Sequence, residues 1–154
     1  MESNIRNSIE GILKDNICAV LATVSEGGCH SNTIYYCYDD DLNIYFSSDC
    51  NTEHCRNIIN NANISLSIYN SPLSYGAKHQ GLQIEGVCQL ISGVELMKGW
   101  KLYTKRFPIF KLKIGDITNI SKKILTIRLY KIVPSRIKVT DSERYGNEII
   151  EVYL

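Results

Sequence analysis

Three short apolar segments, joined by tight turns, restrict the fold of this chain more than any other feature. They run from Ile17 to Val24, from His30 to Tyr38 and from Asn43 to Ser47. The paired glycines of Ser25–Gly28 adopt the positive φ angles of a hairpin turn at little cost. Three aspartates at 39–41 supply the second turn. Strands at this spacing predict an antiparallel meander.

The rest of the chain continues the mainly β pattern and adds helices. Apolar periodicity predicts helices over 3–15, 52–60 and 94–106, and strands over 63–69, 81–91 and 124–133. Pro134 is expected to end the last of these strands, 136–139 to pair again as a short strand, and the tail from Glu148 to add another. The segment 70–80 is expected to be a loop, and 109–121 has no clear pattern. The sum predicts a mainly β (α+β) fold, an antiparallel barrel flanked by helices.

Composition is that of an ordinary globular protein. The 154 residues are 44% hydrophobic and 21% charged, which predicts one domain over 1–154. The net charge is +1 and basic residues are scattered among acidic ones. Because nucleic-acid binders normally show a basic face, we expect no nucleic-acid partner. The sequence has neither a signal-like apolar run nor a membrane span, so we expect a cytoplasmic protein with no membrane partner.

Six cysteines stand at 18, 29, 37, 50, 55 and 88. In the cytoplasm they are expected to be reduced, and Cys18, Cys37 and Cys88 lie in apolar segments where a thiol packs as a small hydrophobe. No CxxC pair is present, and the three histidines show no ligand spacing. We therefore expect no metal site.

The stretch from Phe46 to His54 is the strongest candidate for ligand chemistry. It predicts a strand end, a polar loop and a helix start, where free N–H groups and the helix dipole favour an anion. Ser47, Ser48 and Thr52 add hydroxyl groups, and His54 adds a ring nitrogen. The alternative is an ordinary loop in which Asn51 or Thr52 caps the helix.

Two further polar stretches are less specific. Ser31–Thr33 opens the second strand, where polar residues are common. Lys105 and Arg106 end a predicted helix, where basic side chains complement the dipole. That structural role is the default for the pair, and anion binding is the alternative.

Taken in order, these segments resemble the pyridoxamine 5′-phosphate oxidase-like FMN-binding split-barrel superfamily, and within it the YhbP-like subgroup. The resemblance spans about residues 5–141. It is carried by the strands Ala19–Thr23, Asn43–Ser48 and Leu82–Leu90, by the break at Asn60–Asn63, and by the motifs Asn32-x-x-Tyr35, Thr52-x-His54 and Tyr103–Pro108.

The resemblance implies a split barrel that forms a homodimer with FMN at the interface. It places Asn32, Thr33, Ile34 and Tyr35 along the isoalloxazine ring, Ser47 and Ser48 by the ribityl phosphate, Thr52 and His54 at the phosphate, and Gln80 in the site of the second subunit. It implies a flavin-dependent oxidoreductase with an unknown small-molecule substrate or electron donor. FMN itself would carry the redox chemistry, so no catalytic side chain is named.

Two positions depart from the pattern of the FMN-binding relatives. Those relatives usually carry Lys or Arg at position 54 and often a second base at 53, where this chain has His54 and Glu53. Losing one charge-assisted hydrogen bond costs about 1.5–3 kcal/mol, or roughly tenfold to a hundredfold in affinity. The C-terminal arginines that hold the substrate of the true oxidase have no recognisable counterpart, so that activity is not predicted.

Two alternatives follow from these departures. The protein could be a non-catalytic carrier or sensor of a flavin, of F420 or of haem, and His79 is then the only weak candidate for a haem ligand. It could also be an interaction protein that has lost its cofactor.

Overall fold

The computed structural model describes residues 1–70, 74, 76–109 and 126–154. The helices of this part are α1 (Ser3–Asp15), α2 (Glu53–Asn60), α3 (Gly93–Arg106) and the single-turn α4 (Ser142–Tyr145). The strands are β1 (Cys18–Ser25), β2 (Gly28–Tyr38), β3 (Ile44–Asp49), β4 (Asn63–Tyr69), β5 (Gln80–Leu90), β6 (Ile127–Asp141) and β7 (Ile149–Tyr153).

Antiparallel pairing closes six of the strands into a barrel. The order is β3-β2-β1-β4-β5-β6, and β6 pairs again with β3 to complete the ring. β7 pairs with the second half of β6, outside the ring. The predicted antiparallel split barrel with flanking helices is therefore confirmed. None of the helices in the described ranges is long and apolar enough to cross a membrane.

Alternation along the strands fills the barrel with apolar side chains. Every second residue points inward, because successive side chains of a strand lie on opposite faces. The interior includes Leu21, Ile34, Ile44, Phe46, Leu66, Ile84, Ile132 and Val139. α1 covers one end with Ile9, Ile12 and Leu13, and α2 covers the other with Cys55 and Ile58. All six cysteines are unpaired.

The prediction that Pro134 ends a strand was wrong. β6 runs through Pro134 without a break, and the predicted strands 124–133 and 136–139 are one element from Ile127 onward. Residues 124 and 125, and nearly all of the unassigned segment 109–121, lie outside the described residues. Pro134 is tolerated because the pairing register shifts there: Gly86 opposes Pro134 and Glu85 opposes Arg136. A β-bulge is one of the few places where a sheet accepts proline.

Arg106 fastens the end of α3 to the end of α1. Its guanidinium donates to the carbonyl oxygen of Leu13 (2.8 Å) and to that of Asn16. It also lies over the rings of Tyr36 (5.0 Å) and Tyr38 (5.5 Å). The dipole that it complements is therefore that of α1, and its donors are engaged within the fold. The structural role of Arg106 is the one that the contacts support.

Replacing Arg106 by glutamine should destabilise the protein, whereas the same change at Lys105 should not. The Arg106→Gln variant loses charge-assisted hydrogen bonds and two ring contacts, so we expect it to lower the unfolding free energy by about 1.5–3 kcal/mol. Lys105 is exposed, and Lys105→Gln should change it by less than about 0.5 kcal/mol. Urea denaturation of both variants measures the difference. Equal effects would contradict the assigned role.

Adding one methyl group at Gly86 should also destabilise the folded protein. A Cβ at Gly86 would overlap the carbonyl oxygen of Val133 and lie 3.0 Å from Pro134 Cα, so Gly86→Ala forces the bulge apart. We expect a loss of about 1–3 kcal/mol. Gly11, inside α1, has open space at the same position, and Gly11→Ala should stabilise by about 0.5–1 kcal/mol. Thermal unfolding of the two variants should show shifts of opposite sign.

Candidate functional site

The strongest sequence-predicted cluster forms where β3 ends and α2 begins. Ser48 Oγ lies 2.8 Å from His54 Nε2, Thr52 Oγ1 lies 3.2 Å from the same nitrogen, and the two hydroxyl oxygens are 3.3 Å apart. The structure thus brings together three of the residues that the sequence assigned to an anion. We refer to Ser48, Thr52 and His54 as the hydroxyl–imidazole cluster.

His54 carries hydrogen-bonding capacity that the fold does not use. The residue is 7% exposed, and its ring packs against Phe46 with the centroids 6.3 Å apart. Its Nε2 atom lies within hydrogen-bonding distance of the Ser48 and Thr52 hydroxyls, whereas Nδ1 is buried and has no partner among the described residues. A buried polar atom without a partner costs about 1–3 kcal/mol, so it is rare in native proteins. His54 Nδ1 is therefore a polar atom that the described residues leave unsatisfied.

In the part of the chain that the structure describes, no side chain caps the N-terminus of α2. Thr52 is the N-cap residue by position, but its hydroxyl donates to the carbonyl oxygen of Asp49 (2.8 Å) and not to the helix. Asn51 also turns back, donating from its side chain to Asp49 Oδ1 (3.1 Å). The predicted capping role of Asn51 or Thr52 was therefore wrong. The first-turn N–H groups lack a side-chain acceptor, as at a helix start that receives an anion or water.

Glu53 is drawn toward the β1–β2 hairpin. Its carboxylate lies 3.2 Å from His30 Nδ1, and His30 Nε2 lies 2.9 Å from Ser25 Oγ. The side chain of Glu53 is 57% exposed, so water also screens its charge. The negative charge of Glu53 therefore interacts favourably with the dipole at the start of α2. Its partner, His30, lies outside the hydroxyl–imidazole cluster.

Among the described residues, the side chains of the cluster are neutral donors and no fixed positive charge lies with them. Arg56, one turn along α2, donates to the carbonyl oxygen of Asn51. The same donors also act on the thiol of Cys55, which lies beside the cluster. Burial opposes ionisation of Cys55, but the donors of His54, Thr52 and Tyr130 outweigh it and lower its pKa to about 7. Burial and the neighbouring thiol raise the pKa of Tyr130, which stays a neutral donor.

The four predicted ring-side residues on β2 divide between the two faces of the strand. Thr33 and Tyr35 point outward, and Tyr35 is 56% exposed. Asn32 is half-buried, and Ile34 lies in the barrel core. Ile34 can therefore meet a ligand only through its backbone, whereas Thr33 and Tyr35 present side chains.

Aromatic residues at the C-terminal end of α3 contact the residues on this outer face. The ring of Phe107, at the end of α3, meets that of Tyr35 edge-on at 5.8 Å. Tyr103 hydrogen-bonds to Ser47, and burial raises its pKa despite that bond. Two of the predicted site residues, Tyr35 and Ser47, thus rest on aromatic side chains at the C-terminal end of α3.

A buried carboxylate anchors the other end of α3. Asp39 is 6% exposed and accepts from Lys98 Nζ (2.9 Å) and from the backbone N–H of Asn43 (3.0 Å). The Tyr45 hydroxyl lies 2.9 Å from both Asp39 Oδ2 and Glu95 Oε1. Burial opposes the charge on Asp39, but Lys98, Asn43 and Tyr45 together lower its pKa.

Gln80 lies far from the other predicted site residues of the same chain. Ser48 pairs with Arg128 near the start of β6, whereas Gln80 pairs with Asp141 at its end. The two positions are thirteen residues apart along one strand. One chain therefore brings Ser48, Thr52 and His54 together and leaves Gln80 at the opposite end of the barrel.

No cluster of three or more His, Cys, Asp or Glu side chains within the described ranges could hold a metal ion. His30, His54 and His79 lie in separate places, on β2, on α2 and just before β5.

Comparison with known proteins identifies the family. The family model described as pyridoxamine 5′-phosphate oxidase matches residues 5–140. The chain belongs to the pyridoxamine 5′-phosphate oxidase family, which confirms the resemblance seen in the sequence. No curated protein matches the chain in sequence.

Solved structures of low sequence identity share the fold. A heme binding protein from Mycobacterium smegmatis has a TM-score of 0.75 and 14% identity, over 99% of this chain and 59% of that one. ChuZ from Campylobacter jejuni has a TM-score of 0.74 and 15% identity, over 99% and 61%. A putative pyridoxamine 5′-phosphate oxidase from Listeria innocua has a TM-score of 0.65 and 20% identity, over 88% and 97%. The chain thus spans about three fifths of the length of the first two, and at these identities the likeness shows the fold alone.

The lowered pKa of Asp39 predicts a specific loss of stability in acid. Because its folded pKa lies below the unfolded value of about 4, its stabilising effect is present above that pH and is lost as pH falls through the folded pKa. Asp39→Asn should lower the unfolding free energy at pH 7 by about 1–3 kcal/mol and flatten its decline in acid. The neighbouring exposed Asp40 supplies the control Asp40→Asn. Urea denaturation from pH 7 to pH 3 measures the unfolding free energy of both variants. The same pH dependence in the two variants would contradict the role assigned to Asp39.

Proposed function

We propose that this protein binds FMN between two copies of the chain and acts as a flavin-dependent oxidoreductase. The observation that carries the proposal is the hydroxyl–imidazole cluster at the start of α2, a helix whose N-terminus receives no side-chain cap from the described residues. A phosphate group supplies the acceptor oxygens that these donors and a helix N-terminus lack. Membership in the pyridoxamine 5′-phosphate oxidase family supports the choice of FMN.

The residues present fit a phosphate through neutral donors. α2 offers first-turn N–H groups. When His54 donates from Nε2 toward the two hydroxyl oxygens, Ser48 can direct its own proton to the phosphate, and Thr52 can do so by giving up its bond to the Asp49 carbonyl oxygen. The fit is weaker than one based on a lysine or arginine, because a neutral donor forms a weaker bond to a charged oxygen. We therefore expect FMN to bind with modest affinity.

A second copy of the chain would complete the site. Gln80 lies at the opposite end of the barrel from Ser48, so a ligand that touches both needs a partner subunit. In a homodimer each of two equivalent sites would combine the β2 and α2 residues of one chain with Gln80 of the other. FMN affinity should then fall on dilution of the protein below the dimer dissociation constant.

When bound, FMN supplies the hydride or electron transfer itself. The residues of the chain bind and orient it: the cluster at α2 fixes the phosphate end, and Thr33 and Tyr35 border the ring from the outer face of β2. Phe107 limits the movement of Tyr35 through its edge-on contact. The electron donor and the acceptor are small molecules in this proposal. We place the protein in the cytoplasm, where six unpaired cysteines stay reduced.

Removing one hydroxyl from the cluster should weaken the binding of FMN and leave the binding of riboflavin nearly unchanged. Thr52→Val keeps the shape of the side chain and loses one bond to phosphate, so we expect about a tenfold to hundredfold rise in the FMN dissociation constant. Riboflavin has the same ring but no phosphate, and its affinity should stay within about twofold. Quenching of flavin fluorescence measures both. An equal loss for both ligands, or no FMN binding by the unaltered protein, would contradict the proposed site.

Haem is the second candidate ligand. One similar structure is a heme binding protein and another is described as the heme storage protein HutZ of Vibrio cholerae. In this chain His79 is exposed just before β5, with its backbone N–H bound to Ser142 Oγ (2.8 Å), so its ring could hold the iron of a haem. Titration with haemin, followed at the Soret band, should then give a shift that His79→Ala abolishes. A shift of the Soret band that survives the substitution would exclude His79 as the residue that holds haem.

A further inference from the structure

Gln80 is held at three points as β5 begins. Its backbone N–H donates to Asn70 Oδ1 (3.1 Å), and its side-chain NH₂ donates to Asp141 Oδ1 (3.1 Å). Asp141 is also its partner in the β5–β6 register. The side chain and the backbone of Gln80 are thus fixed by separate groups.

Asp141 is a buried carboxylate with further donors around it. It is 1% exposed, and Ser8 Oγ donates to its Oδ2 (3.1 Å). The backbone N–H of Arg144 donates to Oδ1 (3.3 Å), which caps the single turn α4, and Arg144 Nε lies 3.7 Å from Oδ2. All of these partners are hydroxyl, N–H or guanidinium donors, so both carboxyl oxygens of Asp141 act as hydrogen-bond acceptors.

An acceptor-only partner determines which way the amide of Gln80 points. A glutamine side chain has a donor end and an acceptor end of nearly equal shape, and either can face a hydroxyl or another amide. A carboxylate accepts only, so the NH₂ end of Gln80 must face Asp141. The carbonyl oxygen Oε1 then points away from Asp141. Gln80 also lines an open groove of about 280 Å³, together with Asn70, His79 and Thr140.

Other hydrogen bonds hold the start of β5 in place without the side chain of Asp141. Ser142 Oγ accepts from the backbone N–H of His79 (2.8 Å) and donates to its carbonyl oxygen (3.1 Å), and the N–H of Ser142 donates to the same carbonyl (3.1 Å). These bonds join the end of β6 to the residue before Gln80. The specific contribution of Asp141 is therefore the orientation of the amide.

We propose that Asp141 is a positioning residue of the ligand site: it fixes the amide of Gln80 so that Oε1 is presented to the ligand as a hydrogen-bond acceptor. The ligand would meet it with an N–H or O–H donor, and a flavin ring carries one such N–H. This inference rests on the proposed function, because it assigns Gln80 to the FMN site of the second subunit.

A double-mutant cycle on FMN affinity tests the proposal. Asp141→Asn keeps the shape of the side chain but can present a donor, so the amide of Gln80 can turn over. We expect it to raise the FMN dissociation constant about threefold to tenfold, and Gln80→Ala to raise it by about the same factor. The double variant should be no weaker than Gln80→Ala alone, because the two residues act through one hydrogen bond. Ser8→Ala removes another bond to Asp141 without touching Gln80, and its FMN affinity should stay within about twofold.

Each other outcome has a distinct meaning. Asp141→Asn without effect, or losses that add in the double variant, overturns the positioning role. A loss in Ser8→Ala equal to that in Asp141→Asn shows a structural role only and also overturns it. If the unaltered protein binds FMN and Gln80→Ala does not weaken it, the inference fails while the proposed function stands. If the unaltered protein does not bind FMN, both fail.

A second measurement needs neither ligand nor a folded Asp141 variant. In the unaltered protein the side-chain NH₂ of Gln80 should give a shifted pair of NMR resonances with one proton protected from exchange. Resonances at the positions of a free glutamine would overturn the inference even if Asp141→Asn failed to fold.

Discussion

Closure of the barrel through β6 is the constraint on which the rest of the structure depends. One strand of fifteen residues pairs with β3 at its start, with β5 along most of its length and with β7 at its end. A strand can curve through such a course only where the ladder is interrupted. The bulge that places Gly86 against Pro134 provides that interruption. Ser48 on β3 and Gln80 on β5 therefore pair with opposite ends of β6.

The two ends of the barrel differ in how fully their polar groups are satisfied. At the α2 end, the described residues leave the helix start without a side-chain cap and His54 Nδ1 without a partner, and each costs free energy. At the opposite end, Ser8 and Gln80 both donate to Asp141, and Arg106 donates to the last carbonyl oxygens of α1. The proposed ligand site makes use of the first difference, since a phosphate would accept from the helix start.

The sequence predicts best what is local. Strands and helices followed from alternation and from helical periodicity, and Ser48, Thr52 and His54 could be grouped because they lie within seven residues. The path of β6 through Pro134 could not be predicted, since it depends on a glycine from another strand. The bond of Arg106 to Leu13 joins residues ninety-three apart, and that of Gln80 to Asp141 residues sixty-one apart. Nothing near Glu53 in the sequence indicated that His30 would be its partner. α4 is only one turn long and depends on a cap from Asp141, so periodicity had nothing to detect.

The most direct test of the account is a visible spectrum taken after competition between the two candidate ligands. The concentrated protein would be dialysed to equilibrium against equimolar FMN and haemin, and its spectrum compared with that of the dialysate, because a ligand of modest affinity is lost on desalting. We predict an excess flavin band on the protein side and no excess Soret band. An excess Soret band without excess flavin would contradict the choice of FMN, and no excess of either band would show that the hydroxyl–imidazole cluster does not hold a phosphate-bearing flavin.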